Sequence, residues 1–375
     1  MKIIVNTRLL LKDKLEGLGW FTYETLKRIT QQHPEHEFIF LFDRKFDQEF
    51  IFSDNITPII VYPQARHPFL FYLWFEHSIP KILKKVKPDL FLSPDGYLSL
   101  STDIKSLPVI HDLNFEHYPK DMPWLYSKYY RYFFPKFAKK ATRIATVSNF
   151  SKQDIINLYG IVQDKIDVVY DGVNEIYKPI SESEKKITLK KYTNGNPYFV
   201  FVSSLHPRKN ISNLFKSFEL LKKDGYPEIK LLVVGAKKWW TANTKNIYQQ
   251  MKYKDDVIFC GRLLPAELNK VICSALAMTY VSYFEGFGIP ILEAFRCNTP
   301  VITSNTSSMP EVANDAALLI DPFSPSSICN AMKQIINDSS VREKLILKGQ
   351  IREKQFSWQK TADKLWNSIE KAVNT

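Results

Sequence analysis

Two doubly wound α/β domains in tandem are the fold class expected of this chain. Short apolar, β-branched runs alternate with longer segments of helical period, the pattern of parallel sheets covered by helices on both faces. The alternation is interrupted once, by the polar stretch KPISESEKKITLKKYTNGNP at 178–197, and then restarts. A length of 375 residues also suits two domains better than one.

The first half opens on the strand KIIVN (2–6) and continues with the strands EFIFLF (37–42), IIVY (59–62), DLFLS (89–93), LPVI (107–110), RIATV (143–147) and KIDVV (166–170). Helices are expected between them near 18–32, 69–86, 123–139 and 149–158. The polar break reads as a linker with one short helix. Beyond it come the strands YFVFVSS, KLLVVG, VIFCG, AMTYVS, PVITS and ALLI, with helices at 265–275 and 289–297 and a helical C-terminus. The boundaries that follow are 1–177, a linker at 178–197, and 198–356, with a C-terminal helix at 357–375 returning to the first domain.

Composition narrows the class further. The start MKIIVNTRLL is too short an apolar run for a signal-peptide core, and no 18-residue uncharged apolar run suggests a spanning helix. The chain is expected to be cytoplasmic. Its four cysteines, Cys260, Cys273, Cys297 and Cys329, form no CxxC pair and read as free buried thiols in a reducing compartment. Net charge is +12, divided as +3 up to residue 178 (24 basic, 21 acidic) and +9 after it (27 basic, 18 acidic). Such an excess attracts phosphates, nucleic acid or an anionic membrane surface without choosing among them.

In open parallel sheets ligands sit beyond the carboxyl ends of the strands, so the loops there are where chemistry is sought. EGFGIPILEAF (285–295) follows the strand AMTYVS. Pro290 suits a first helical turn. Gly286, Phe287, Gly288 and Ile289 would bring backbone N–H groups to a positive helix end. Glu285 suits sugar hydroxyls and Glu293 a diol such as ribose; the bland alternative is a turn and an amphipathic helix. In FVFVSSLHPRKN (199–210), Arg208 and Lys209 at a helix start suit a diphosphate. LEGLGWFTYETL (15–26) is GxGxxT with Gly17 and Gly19, weak as a dinucleotide fingerprint. His111 and Asp112 end a strand in LPVIHDLNFEHYP, and Ser148 ends another in TVSNFSKQDI, where Asn149 or Ser151 is a plausible helix cap.

Together these segments resemble the retaining glycosyltransferases of the GT-B fold, specifically the large family 4, over most of the chain. The family signature is a Glu, seven residues and a second Glu, matched by Glu285 and Glu293. The resemblance implies two Rossmann-like domains facing each other across a cleft, an N-terminal acceptor domain and a C-terminal donor domain. It implies that Glu285 holds donor-sugar hydroxyls, Glu293 the ribose, and Lys209 the leaving diphosphate. His111 would touch the donor sugar, and the glycine-rich loop would lie near the donor phosphates or acceptor. Arg262 and Leu263 in VIFCGRLLPAEL would offer backbone groups to the base. The family often has Gly-Arg where this chain has Ser203-Ser204, which leaves open whether Arg208 takes that role beside Ser204. The Ser and Thr hydroxyls of TSNTSSMPEV (303–312) are expected to cap a helix.

The activity implied is transfer of a hexose, mannose favoured, from a nucleotide diphosphate sugar, GDP-mannose favoured, to a glycan or lipid-linked acceptor. UDP-sugar transfer, and an epimerase or hydrolase on the same fold, stay open. No cofactor is expected, and no Asp-x-Asp metal motif occurs. Nucleic acid is not an expected partner, and no GxGxxG directly follows a strand as an oxidoreductase would need. Finally, YSKYYRYFFPKFAKKATR (126–143) carries six basic and no acidic residues among seven Tyr or Phe. It fits either a helix at an anionic membrane surface or lipid-linked acceptor, at the inner membrane face, or an ordinary helix with an aromatic core face. Trp239-Trp240 fits a core or an exposed stacking pair equally.

Overall fold

The computed structural model describes residues 1–236 and 240–375, and these divide into two compact units. The first comprises Met1–Gly172 and Trp358–Thr375, the second Val173–Ser357. Trp239 of the Trp-Trp pair lies outside the described residues. Trp240 is half-buried, with its ring beside Phe215 and Phe259.

In the first unit the strands are β1 (Lys2–Asn6), β2 (Glu37–Phe42), β3 (Ile56–Ile60), β4 (Leu90–Ser93), β5 (Ser106–Ile110), β6 (Ile144–Thr146) and β7 (Ile166–Val168). All pair in parallel, in the order β3-β2-β1-β4-β5-β6-β7. The chain therefore reverses direction across the sheet between β1 and β4, which leaves a crevice at their carboxyl ends. β3 begins three residues earlier than its apolar run predicts. It is an edge strand, where Pro58 has no ladder hydrogen bond to forfeit.

In the second unit the strands are β8 (Tyr198–Val202), β9 (Lys230–Val234), β10 (Val257–Gly261), β11 (Ala277–Tyr280), β12 (Val301–Ser304) and β13 (Leu318–Ile320). These too are parallel, in the order β10-β9-β8-β11-β12-β13, with the reversal between β8 and β11. Central strands such as KLLVV are buried nearly throughout, which is why they read as continuous apolar runs rather than alternating ones. Each unit is a doubly wound α/β domain, as the alternation of runs predicted, and two such domains are what the resemblance to the GT-B fold implied.

The polar stretch 178–197 holds a helix, Glu182–Thr193, opened by a capping box between Ser181 and Glu184 and closed by Asn194 in the left-handed region. It packs on the second unit, where Lys191 and Tyr192 both reach Glu267. The C-terminal helix Trp358–Asn374 packs on the first unit against the helix Gly17–Gln32. Trp366 stacks on His33 at 3.6 Å, and Lys371 pairs with Asp167 at 3.1 Å. All four cysteines are free, and Cys273, Cys297 and Cys329 are buried.

Candidate active site

Four elements of the second unit meet at its reversal point. After β8 the chain forms the short turn Pro207–Lys209, whose start is capped by the His206 ring. Asn210 follows in the left-handed region and sends its side-chain N–H groups to the carbonyls of Val281 and Pro322. That pins the turn to the loop after β11, and the backbone N–H of Tyr283 donates to the carbonyl of Arg208 at 3.0 Å. The helix Ile211–Lys223 then begins, so Arg208 and Lys209 sit just ahead of its positive end.

Glu285 comes from the loop after β11 and is buried. The Lys209 ammonium lies 2.5 Å from its Oε1 and an Arg208 guanidinium nitrogen 3.3 Å from its Oε2. Burial alone would raise this carboxyl's pKa; the two cations overcome it and bring it down to about 2. Glu285 is thus an anion at any physiological pH, and the cluster of two cations and one anion keeps one net positive charge. Such a set suits a ligand that joins hydroxyls to a diphosphate: the carboxylate accepts from the hydroxyls while the cations face the phosphates. Tyr280, fully buried at the end of β11, places its hydroxyl 3.3 Å from the same ammonium.

The EGFG backbone is held from below. The N–H of Glu285 donates to Ser307 Oγ at 3.1 Å, and Ser308 Oγ donates to the carbonyls of Glu285 and Phe287, both at 2.9 Å. The expectation that these hydroxyls cap a helix is corrected: Ser308 precedes the helix Met309–Ala313 without a side-chain cap, and its hydroxyl shapes the carboxylate loop instead. Phe287 is buried, with its ring edge-on to Phe356 at 5.6 Å. Gly288 has a φ of 111°, which disfavours any side chain, and leads directly into Ile289 and its helix.

Glu293 sits one turn into that helix, half-buried. Burial pushes its pKa up to about 7, while a hydrogen bond from the Tyr177 hydroxyl pulls the other way. It is not part of the Lys209–Glu285 cluster. Ser204 is exposed in the loop after β8, which lies against the loop after β9. A Cβ on Gly235 would stand 1.8 Å from the carbonyl oxygen of Ser203, so that close approach needs a glycine. Exposed Arg262 and half-buried Leu263 follow the edge strand β10, at the same carboxyl end of the sheet.

The remaining expected residues belong to the first unit, in the segments that follow β1, β5 and β6. His111 bonds through Nε2 to the carbonyl of Pro94 at 2.8 Å, and burial lowers its pKa. A neutral ring donating from Nε2 keeps Nδ1 as an acceptor. Phe21, on the helix that opens with Gly17 and Gly19, packs edge-on to that ring at 4.8 Å. Gly17 is open to its surroundings, whereas a Cβ on Gly19 would press on Leu15 and the carbonyl of Leu9. Ser148 caps the helix Asn149–Tyr159 by accepting from the N–H of Ser151 at 3.0 Å, and Ser151 Oγ donates to the carbonyl of His111.

Sequence reasoning missed a buried polar network at the first reversal point. Arg8 pairs with Asp95 at 2.7 Å under the rings of Tyr97 and Phe71, and Asp95 also accepts from Asn6. The signal available was Asn6 and Arg8 breaking the apolar run of β1. It also missed Asp171, in the loop after β7. Burial pushes this carboxyl up to about 8, and its Oδ1 has no hydrogen-bond partner among the described residues. Among the described residues, His33, Glu35 and His36 group their potential metal-ligand atoms within 4.8 Å. They lie at the amino end of β2, away from the strand-end loops.

Comparison with known proteins decides the family. Residues 182–352 match the family model described as glycosyl transferases group 1, and residues 15–175 match that of glycosyltransferase family 4. The chain belongs to the group 1 glycosyltransferases. As such it is an enzyme, a hexosyltransferase of GT-B fold. It is similar to O-antigen chain mannosyltransferase B of Escherichia coli, at 27% identity over 96% of this chain and 97% of that one. O-antigen chain mannosyltransferase RfbU of Salmonella typhimurium is 30% identical over 60% of this chain and 59% of its own. Among solved structures, the glycosyltransferase shares its fold with Anabaena Alr3699/HepE in complex with UDP and glucose, at a TM-score of 0.77 and 16% identity over 99% of both chains.

Proposed function

We propose that this glycosyltransferase moves mannose from GDP-mannose to a growing glycan or lipid-linked acceptor in cell-surface polysaccharide synthesis, with retention of anomeric configuration. The likeness along almost its full length to an O-antigen chain mannosyltransferase supports the sugar and the pathway class. The observation that carries the chemistry is the pairing of half-buried Lys209 and Arg208 with the buried Glu285 carboxylate.

In this reading Lys209 and Arg208 meet the charge developing on the departing diphosphate, and backbone N–H groups after Gly286 share it. Preorganised donors of this kind make the largest catalytic contribution in many enzymes. Glu285, ionised and fixed by its neighbours, orients the sugar hydroxyls. Glu293 grips the ribose diol, and backbone groups near Arg262 and Leu263 meet the base. His111, neutral and accepting through Nδ1, takes a sugar hydroxyl. The acceptor hydroxyl attacks the face from which the diphosphate leaves, so no enzyme nucleophile is assigned. Transfer needs no metal or cofactor, and the protein works in the cytoplasm at the inner membrane face.

Titrating the purified protein with GDP, UDP, GDP-mannose and UDP-hexoses, read as thermal shift, tests the donor. GDP and GDP-mannose are expected to stabilise it, and Glu293→Ala to remove the shift. Stabilisation by UDP species alone would overturn the guanine assignment. Acceptor-independent change of the sugar would favour an epimerase or hydrolase. Lys209→Ala is expected to lower turnover on the order of a hundredfold with donor binding kept; normal turnover in that variant would sink the phosphate role.

A further inference from the structure

An exposed aromatic groove on the first unit has no part in the strand-end chemistry. It runs between the helix Pro68–Leu73 and the helix Trp124–Lys140 and encloses about 690 Å³. The helix turns Tyr129, Phe134 and Phe137 into the core, and Tyr126, Tyr130 and Phe133 pack partly buried against it, so most of its rings are structural. A different set remains outside: Phe69, 63% exposed, and Tyr132, 59%, line the groove with Tyr72 and Leu125, and Trp124, 68% exposed, precedes Leu125 at the helix start. Exposed apolar side chains scattered singly need no explanation, but gathered from two helices around one groove they mark a contact surface.

The charge of the two segments that supply these rings points to the partner. Segments 68–87 and 124–143 together contain ten Lys or Arg and a single acidic residue, Glu76. Glu76 is buried, its carboxylate accepting from the backbone N–H of Leu100 and the hydroxyl of Ser101. These 40 residues thus carry a net +9 of the chain's +12. Lys128 lies 4.0 Å over the Trp124 ring and Lys136 3.3 Å over the Tyr132 ring. Both lysines are exposed, and neither is in an ion pair among the described residues. Arg131, Lys140 and Arg143 pair with Glu116, Asp103 and Asp167 at 3.1, 3.3 and 2.9 Å, so three of the ten cations are neutralised from outside these segments. Rings of mixed polarity beside unpaired cations match the region where headgroup phosphates meet acyl chains.

We propose that this groove docks the enzyme on an anionic phospholipid bilayer, with Trp124, Leu125, Phe69 and Tyr132 entering the interface and Lys128 and Lys136 meeting headgroup phosphates. The inference deepens the reading above, in which the acceptor can be lipid-linked and the enzyme sits at the inner membrane face. No helix among the described residues is long and apolar enough to cross a membrane.

Flotation of the full-length protein with vesicles of phosphatidylcholine, alone or mixed with phosphatidylglycerol, tests it at low and high salt. Binding is expected to the anionic vesicles only, weakened by salt, and reduced about tenfold or more in Lys128→Glu/Lys136→Glu. Trp124→Ser/Leu125→Ser should lose binding that salt cannot explain. Trp124→Phe should remove a blue shift of the tryptophan emission seen on adding vesicles. Binding unchanged in both double variants would overturn the docking surface, as would absence of binding to anionic vesicles. A dimer in light scattering that Trp124→Ser/Leu125→Ser abolishes would do the same, with a second copy as occupant. The same variants titrated with nucleotide without vesicles should bind as wild type. That arm separates failure of the docking surface from failure of the donor assignment.

Discussion

Glu285 and Glu293 stand eight positions apart in one motif, yet their environments drive their acidities in opposite directions. Two cations hold the buried Glu285 carboxyl down at about 2, whereas burial pushes Glu293 up to about 7 against a hydrogen bond from the Tyr177 hydroxyl. The linkage signs follow. The depressed carboxyl stabilises the fold above its unfolded pKa of about 4.5, a contribution lost as pH falls towards 2. The raised carboxyl does the reverse: its contribution is full below about 4.5 and is lost as pH rises through 7. Glu293→Gln should therefore raise the melting temperature at pH 8, worth about 1–3 kcal/mol, and the gain should vanish below pH 5. Nucleotide affinity of the wild type should fall as pH drops from 8 to 6, while the variant binds weakly at both. A pH-independent affinity would separate Glu293 from the ribose.

At the scale of elements, the strand-end loops owe their shape to backbone contacts that motif spacing does not reveal. Both carboxylates, the PRKN turn and the bare glycines were readable from residue type and order. The hold of Ser307 and Ser308 on the EGFG backbone was not, because a hydroxyl before a helix looks like a cap whether or not it serves as one. Gly235 is similar: nothing near KLLVVG says that the carbonyl of Ser203 will lie where its Cβ would be. Gly235→Ala should cost more than about 2 kcal/mol and lower the melting temperature by about 5 °C or more. Gly160→Ala makes the control. Its φ of 66° is also left-handed, but nothing lies within 4 Å of the added carbon, so its cost should be about 1 kcal/mol. Equal losses in the two variants, measured by calorimetry, would remove the contact with Ser203 as the cause.

At the scale of the whole chain, the last helix completes the first unit's core although the second unit intervenes in sequence. Trp358, Leu365, Trp366, Ile369 and Ala372 are buried there, on a helix whose apolar residues recur every three or four positions. Ile369 is fully buried six residues from the end, where chain termini are ordinarily tolerant of change. Ile369→Ala should destabilise by about 2–4 kcal/mol, read as an earlier thermal transition of the full-length protein. A change below about 0.5 kcal/mol would mean the terminus contributes little to that core.

What the sequence determined by itself was whatever depends on local pattern. Apolar runs of strand length between helical segments set two parallel sheets, since only burial on both faces makes an uninterrupted run stable. Residue types at strand ends likewise pointed to the glycosyltransferase family. Tertiary structure alone decided which groups meet across long separations in the chain. Lys209 lies 76 residues from Glu285 and Arg8 lies 87 from Asp95, and an ion pair leaves no periodicity to read. It also decided that the rings of the 126–143 segment split between core and surface. A helix rich in aromatics on every face says nothing of which face its neighbours will cover.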